Sequence, residues 1–123
     1  MNLQLSLKRK WFDMTDPEGK TEDYRELTPY WYSRLCIYNS QKKSQKFWQF
    51  VPFSCWDIHA GRILYRKFDY NIMTLGYPKS TDTERILKLE HKGIEIRTGN
   101  CEWGAEPNKL YFVIKHGKPT QRF

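Results

Sequence analysis

Short runs in which apolar and polar residues alternate recur along this chain, and that period of two ties it to sheet architectures. Leu3, Leu5 and Leu7 alternate with Gln4 and Ser6, the pattern of a half-buried strand. Arg85, Leu87 and Leu89 alternate with Ile86, Lys88 and Glu90. Lys92-Gly93 then reads as a turn into 94–97, which predicts a β-hairpin over 83–97. Residues 63–66 and 68–75 read as two further strands. The run 110–114 is the most apolar of all and belongs at the centre of a barrel. Turn residues punctuate these runs at 16–19, 59–62 and 76–82. Five Trp, eight Tyr and seven Phe also suit strands better than a helical bundle.

Two short helices are expected beside the strands. The first covers 8–14, with Trp11, Phe12 and Met14 packing inward. Its opening Lys8, Arg9 and Lys10 oppose the helix dipole, which fits either an anion site or a solvated start. The second begins at Thr28, an N-cap followed by Pro29 at the first helical position, and is predicted to run to Tyr38. Residues 39–46 read as a polar, basic surface loop. Its Lys42, Lys43 and Lys46 either contact nucleic acid or form a solvated insertion. Residues 47–56 are rich in aromatics but broken by Pro52, suited to core or lid packing or to stacking on bases. Residues 99–107 read as a long loop centred on Trp103 and Gly104, and 115–123 as a frayed basic tail. At 123 residues the chain is expected to be a single domain, 1–123.

Charge narrows the partners. The chain holds 21 Lys and Arg against 14 Asp and Glu, a net charge of +7. Six of those acids fall within 13–26, which contains only two basic residues, Lys20 and Arg25. Elsewhere the basic excess is therefore stronger still, the electrostatic footprint of a protein that meets phosphates, or a surplus of solubilising Lys. Cys36, Cys55 and Cys101 are odd in number and lack metal-ligand spacing, and His59, His91 and His116 are scattered. Reduced thiols in the cytoplasm are expected, with no metal and no cofactor. No apolar run is long enough to span a membrane, and no secretory signal is read at the start.

The acidic window surrounds Gly19-Lys20-Thr21-Glu22-Asp23-Tyr24-Arg25-Glu26. A turn at 17–19 leads into a short strand on which Asp23 and Arg25 share one face and Glu22 and Tyr24 the other. Two arrangements fit. Lys20, Asp23 and Arg25 line a polar cleft at the mouth of a sheet, or they form a solvated, salt-bridged edge.

With its flanks, this stretch resembles an ASCH domain, a family of small PUA-like β-barrels marked by Gly-x-Lys-x-x-Glu-x-Arg. The opening 3–7, the basic 8–12, Thr28-Pro29-Tyr30-Trp31 and the segments 102–107 and 111–115 are similar to a compact phage or prophage type. Two departures stand out. Gly19 directly precedes Lys20, and Asp23 occupies the place of the motif Glu. The resemblance implies an α+β, partly closed barrel of about five strands with helices at its sides. It also implies an RNA or nucleotide ligand. Lys20 and Arg25 would hold phosphate, and Trp31 or Trp103 would stack a base. Some ASCH-like proteins resemble amidohydrolases that pair the motif Lys with a Thr three residues on and a distant Glu, and others are linked to RNA cleavage. A hydrolase acting on RNA or a modified nucleoside is thus the alternative, with Lys20 and Asp23 as its candidate catalytic residues. The Thr position is Asp23 here, and Thr21 lies on the opposite strand face, so no hydroxyl nucleophile follows. Glu90 is a possible distant carboxylate.

Overall fold

The computed structural model describes residues 1–15, 19–50, 61–79, 81 and 85–122. In chain order the elements are β1 (Leu3–Leu7), α1 (Arg9–Thr15), β2 (Glu22–Arg25), α2 (Pro29–Leu35), β3 (Cys36–Tyr38), α3 (Gln45–Phe50), β4 (Ile63–Tyr65), β5 (Tyr70–Leu75), β6 (Ile86–Thr98), a 3₁₀ turn at Cys101–Trp103, and β7 (Leu110–Arg122). They group into two compact units, Met1–Tyr24 with Lys67–Phe123, and Arg25–Arg66.

The first unit is built on a five-stranded sheet in the order β1-β5-β6-β7-β2, curled into a half-barrel. Leu3, Leu5 and Leu7 are all buried, as the period of two requires of a strand with one face on the core. β1 runs parallel to β5, from Leu3 opposite Asn71 to Leu7 opposite Leu75. The β5–β6 and β6–β7 pairs are antiparallel. Leu5, Met73, Leu87, Leu89, Phe112 and Ile114 fill the interior, and α1 packs on β5 with Phe12 buried. A mixed α/β chain with a partly closed sheet is therefore the architecture.

Two expectations about this sheet are corrected. Among the described residues of 83–97 no hairpin forms, and β6 is one continuous strand through Lys92-Gly93. Gly93 adopts φ +113°. It absorbs an irregularity where the pairing with β7 shifts between His91 and Gly93, so the glycine serves a β-bulge and not a turn. The basic tail is not frayed over its length either. β7 continues to Arg122, with Lys88 opposite Gln121 and Leu87 opposite Arg122, because backbone pairing is indifferent to side-chain charge.

In the second unit, the Thr28 side chain accepts from the Trp31 amide and Pro29 opens α2. The helix ends three residues sooner than expected. Cys36 is extended and its amide bonds to the Tyr32 carbonyl, and Ile37 and Tyr38 pair with β4 as strand, where β-branched and aromatic residues fit better. Lys46 lies on α3 and not in the expected loop. Trp48, also on α3, is buried against Tyr32 with ring centroids 5.3 Å apart, so that part of the aromatic run is core. Pro17, Pro52, Cys55, His59 and the rest of 51–60 lie outside the described residues, as do Ser80 and Asp82 of the expected 76–82 loop.

The bulge carries a test. Gly93→Ala forces an L side chain into a left-handed φ, at about 1–2 kcal/mol. Urea unfolding should show that loss, whereas an unchanged midpoint and slope would contradict a strained residue there.

Candidate functional site

Lys20 is delivered to the interior by its backbone. Gly19 takes φ +82°, open to glycine at little cost. The Lys20 amide then donates to the Met14 carbonyl at 3.0 Å, and the next carbonyl, that of Thr21, accepts from the His116 amide at 2.8 Å. The residue is pinned between the end of α1 and β7. Its side chain is only 2% exposed as a result. Nζ donates to Asp23 Oδ1 at 2.9 Å and to the Glu22 carbonyl at 2.7 Å. Asp23, 6% exposed, points inward as the alternation of β2 requires. Glu22 and Tyr24 take the other face, where the Tyr24 hydroxyl donates to Glu22 Oε1 and Arg97 bridges Glu22 and Glu95. Burial, chiefly, lifts the Tyr24 hydroxyl to about 12.

A second polar group reaches the same place from β7. Phe112, Ile114 and His116 are spaced by two and all buried, and His116 is 5% exposed. Its Nδ1 lies 2.5 Å from Asn71 Nδ2, and the same amide nitrogen donates to the Lys115 carbonyl. A carbonyl only accepts, so this end of Asn71 is the NH₂ end and His116 Nδ1 must accept from it. The proton of a neutral His116 therefore sits on Nε2, a buried atom with no acceptor among the described residues. The far end of Asn71 meets His91, whose Nδ1 lies 2.8 Å from Asn71 Oδ1. Burial pushes His116 down to about 4, opposed by Asp23 and assisted by Lys20. Burial, then Lys115, also lowers His91. Leaving the Nε2–H orphaned costs about 1–3 kcal/mol.

Lys20 and His116 border a half-open cavity of about 280 Å³, lined also by Thr21, Leu89 and Gly117 among others. A methyl group at Gly117 would lie 2.9 Å from Glu90 Oε2, so Glu90, ion-paired to Lys92 at 2.8 Å, stands beside this wall. Lys20 and Asp23 are thus brought together. In the second unit Arg25 lies over the Trp31 ring at 5.0 Å and Arg34 over the same ring at 5.4 Å. Lys42 and Lys46 are exposed, while Lys43 lies over Phe47 and bonds Gln41. Trp103 is half-buried in the 3₁₀ turn and is not among the cavity-lining residues described. The sequence reasoning missed His116, Asn71 and His91. The available signal was a histidine two residues beyond Ile114 on the inward face of the most apolar strand.

Comparison with protein-family models, with curated proteins and with solved structures returns no match. Among the described residues no helix is long and apolar enough to cross a membrane.

The histidine gives a pH dependence. The unfolded chain titrates His116 near 6.5 and the folded chain near 4, so the unfolded state takes up the proton first. Stability is unaffected above 6.5, falls as pH drops from 6.5 to 4, and levels off below. At about 1.4 kcal/mol per pH unit, the share of His116 is about 2 kcal/mol between pH 7 and pH 5. Urea unfolding at both pH values should show the loss in wild type and a smaller loss in His116→Phe. Equal losses would contradict the assignment.

Proposed function

We propose that the chain is a cytoplasmic RNA- or nucleotide-binding module of the ASCH type, a PUA-like barrel whose Lys20–His116 cavity receives part of the ligand. The observation that carries this reading is the cavity itself, lined by a buried lysine and by a histidine whose ring N–H has no partner among the described residues. Burying polar groups without full pairing destabilises a fold, so their presence is best explained by a ligand that completes them. The net charge of +7 suits a polyanionic partner. Because Asp23 already matches the charge of Lys20, phosphate attraction falls mainly to other cations. Arg25 and Arg34 flank Trp31, an arrangement of guanidinium and indole that also stacks bases, and Lys42, Lys43 and Lys46 add charge.

One observation favours the second reading, a hydrolase acting on RNA or a modified nucleoside: Lys20, which is ion-paired to Asp23, and His116 line the same cavity. Acid–base work would use these groups. Thr15 and Thr21 both line the cavity, and the Thr15 hydroxyl is committed to the Trp11 carbonyl; binding is the simpler of the two readings because it asks for no nucleophile.

Anisotropy titrations with short single-stranded RNA between 50 and 200 mM salt test both. Wild-type affinity should fall steeply with salt, with a log–log slope of roughly −0.7 per phosphate contact. Replacing Lys42, Lys43 and Lys46 with Ala should make that slope shallower by about 2. RNA recovered intact supports binding, and cleaved or modified RNA supports the hydrolase. Absence of binding at 50 mM salt contradicts the proposal.

A further inference from the structure

We propose that His116 and Lys20 together form a two-donor site that reads a carbonyl oxygen on an uncharged, planar ligand. On the nucleotide-binding reading, from which this identification of the ligand follows, that oxygen belongs to the lactam edge of a nucleobase.

The donors follow from the hydrogen-bond inventory. A lysine ammonium has three N–H groups. Two are used on the Glu22 carbonyl and Asp23 Oδ1, which leaves one. The neutral imidazole of His116 has one N–H, and the contact with Asn71 fixes it on Nε2, at the ring edge remote from that amide. Both residues line the same cavity. The site therefore offers hydrogens, and its complement is an acceptor.

The class of acceptor follows from charge. Lys20 and Asp23 form an ion pair with almost no exposure, and His116 is neutral, because its Nδ1 accepts a hydrogen bond from the Asn71 NH₂ and carries no proton of its own. A charge-matched ion pair and a neutral ring gain less from a phosphate, which must shed its hydration, than from a carbonyl. Size agrees. About 280 Å³ lies at the lower edge of the roughly 300–1,000 Å³ of drug-sized pockets, room for one ring and not for an oligonucleotide. Leu89 supplies an apolar wall. The Asn71–His91 relay behind His116 holds the imidazole in one tautomer and one orientation, as outer partners do for other histidines that must present a fixed nitrogen.

The test is ¹⁵N-histidine NMR on the intact wild-type chain, with His116 assigned by its loss in His116→Gln. At pH 7 the ring should show a protonated Nε2 and a bare Nδ1. An imidazolium or an Nδ1–H tautomer overturns the proposal. Adding 2-pyridone should shift the Nε2–H resonance of His116, whereas inorganic phosphate at the same concentration should not. No shift with 2-pyridone, or a larger one with phosphate, overturns it. Uridine should behave as 2-pyridone does and bind about tenfold more weakly to His116→Phe; equal affinity overturns the proposal. These outcomes separate from those of the preceding section. If 2-pyridone engages His116 while neither uridine nor RNA binds, the two-donor site stands and the nucleotide reading fails. If RNA binds and the His116 signals stay unchanged, the nucleotide reading stands and this proposal fails.

Discussion

A lysine ammonium buried within a small sheet is the constraint on which the rest of the first unit depends. Taking such an ion out of water costs several kcal/mol even after relaxation, and removing one partner of a buried pair costs about 3–5 kcal/mol. Lys20 is tolerated because Asp23 and the Glu22 carbonyl lie within hydrogen-bond distance of Nζ. Those partners hold position only while β2 stays on the sheet edge beside β7. The amide of His116 on the Thr21 carbonyl and that of Lys20 on the Met14 carbonyl are what keep it there. Backbone pairing and the buried charge therefore support one another. The same constraint decides the chemistry, since a charge matched by a buried carboxylate is a poor long-range attractor of phosphate and a good short-range donor.

The long β6–β7 ribbon sets the second half of the site. Its register places His91 opposite His116, and β5 brings Asn71 opposite Leu89 on the next strand. Three polar side chains distant in sequence thus meet within an otherwise apolar core. The register shifts around His91 and Gly93 are located where this polar group interrupts the hydrophobic alternation. Bulges are common beside functional sites, where they re-aim side chains. The bulged stretch also brings Glu90 and Lys92 close to Gly117, a residue of the cavity wall.

Much of this was legible in the amino-acid sequence, for reasons that differ by residue. The strands at 3–7 and 110–114 declare themselves because a half-buried or buried strand leaves its period in the apolar residues. Lys20 and Asp23 stand out because their acidic window reverses the sign of an otherwise basic chain. Thr28-Pro29 marks a helix start by local chemistry alone. What was hidden depends on long-range pairing. Lys92-Gly93 has the composition of a turn, and only the partner strand shows that its glycine relieves a bulge. The basic residues after Ile114 look frayed because charge conceals a ladder made of backbone. His116 was passed over because Asn71 and His91, which fix its tautomer, lie 45 and 25 positions away, and no local pattern links them.

The central claim is that ligand enters the cavity between Lys20 and His116. The most direct measurement is photo-crosslinking with a short RNA carrying 4-thiouridine, followed by mass spectrometry of the modified peptides. The geometry requires crosslinks at 19–21 or 115–117, competed away by excess uridine. Crosslinks confined to 25–66, or crosslinks at the cavity that uridine leaves unchanged, would contradict it.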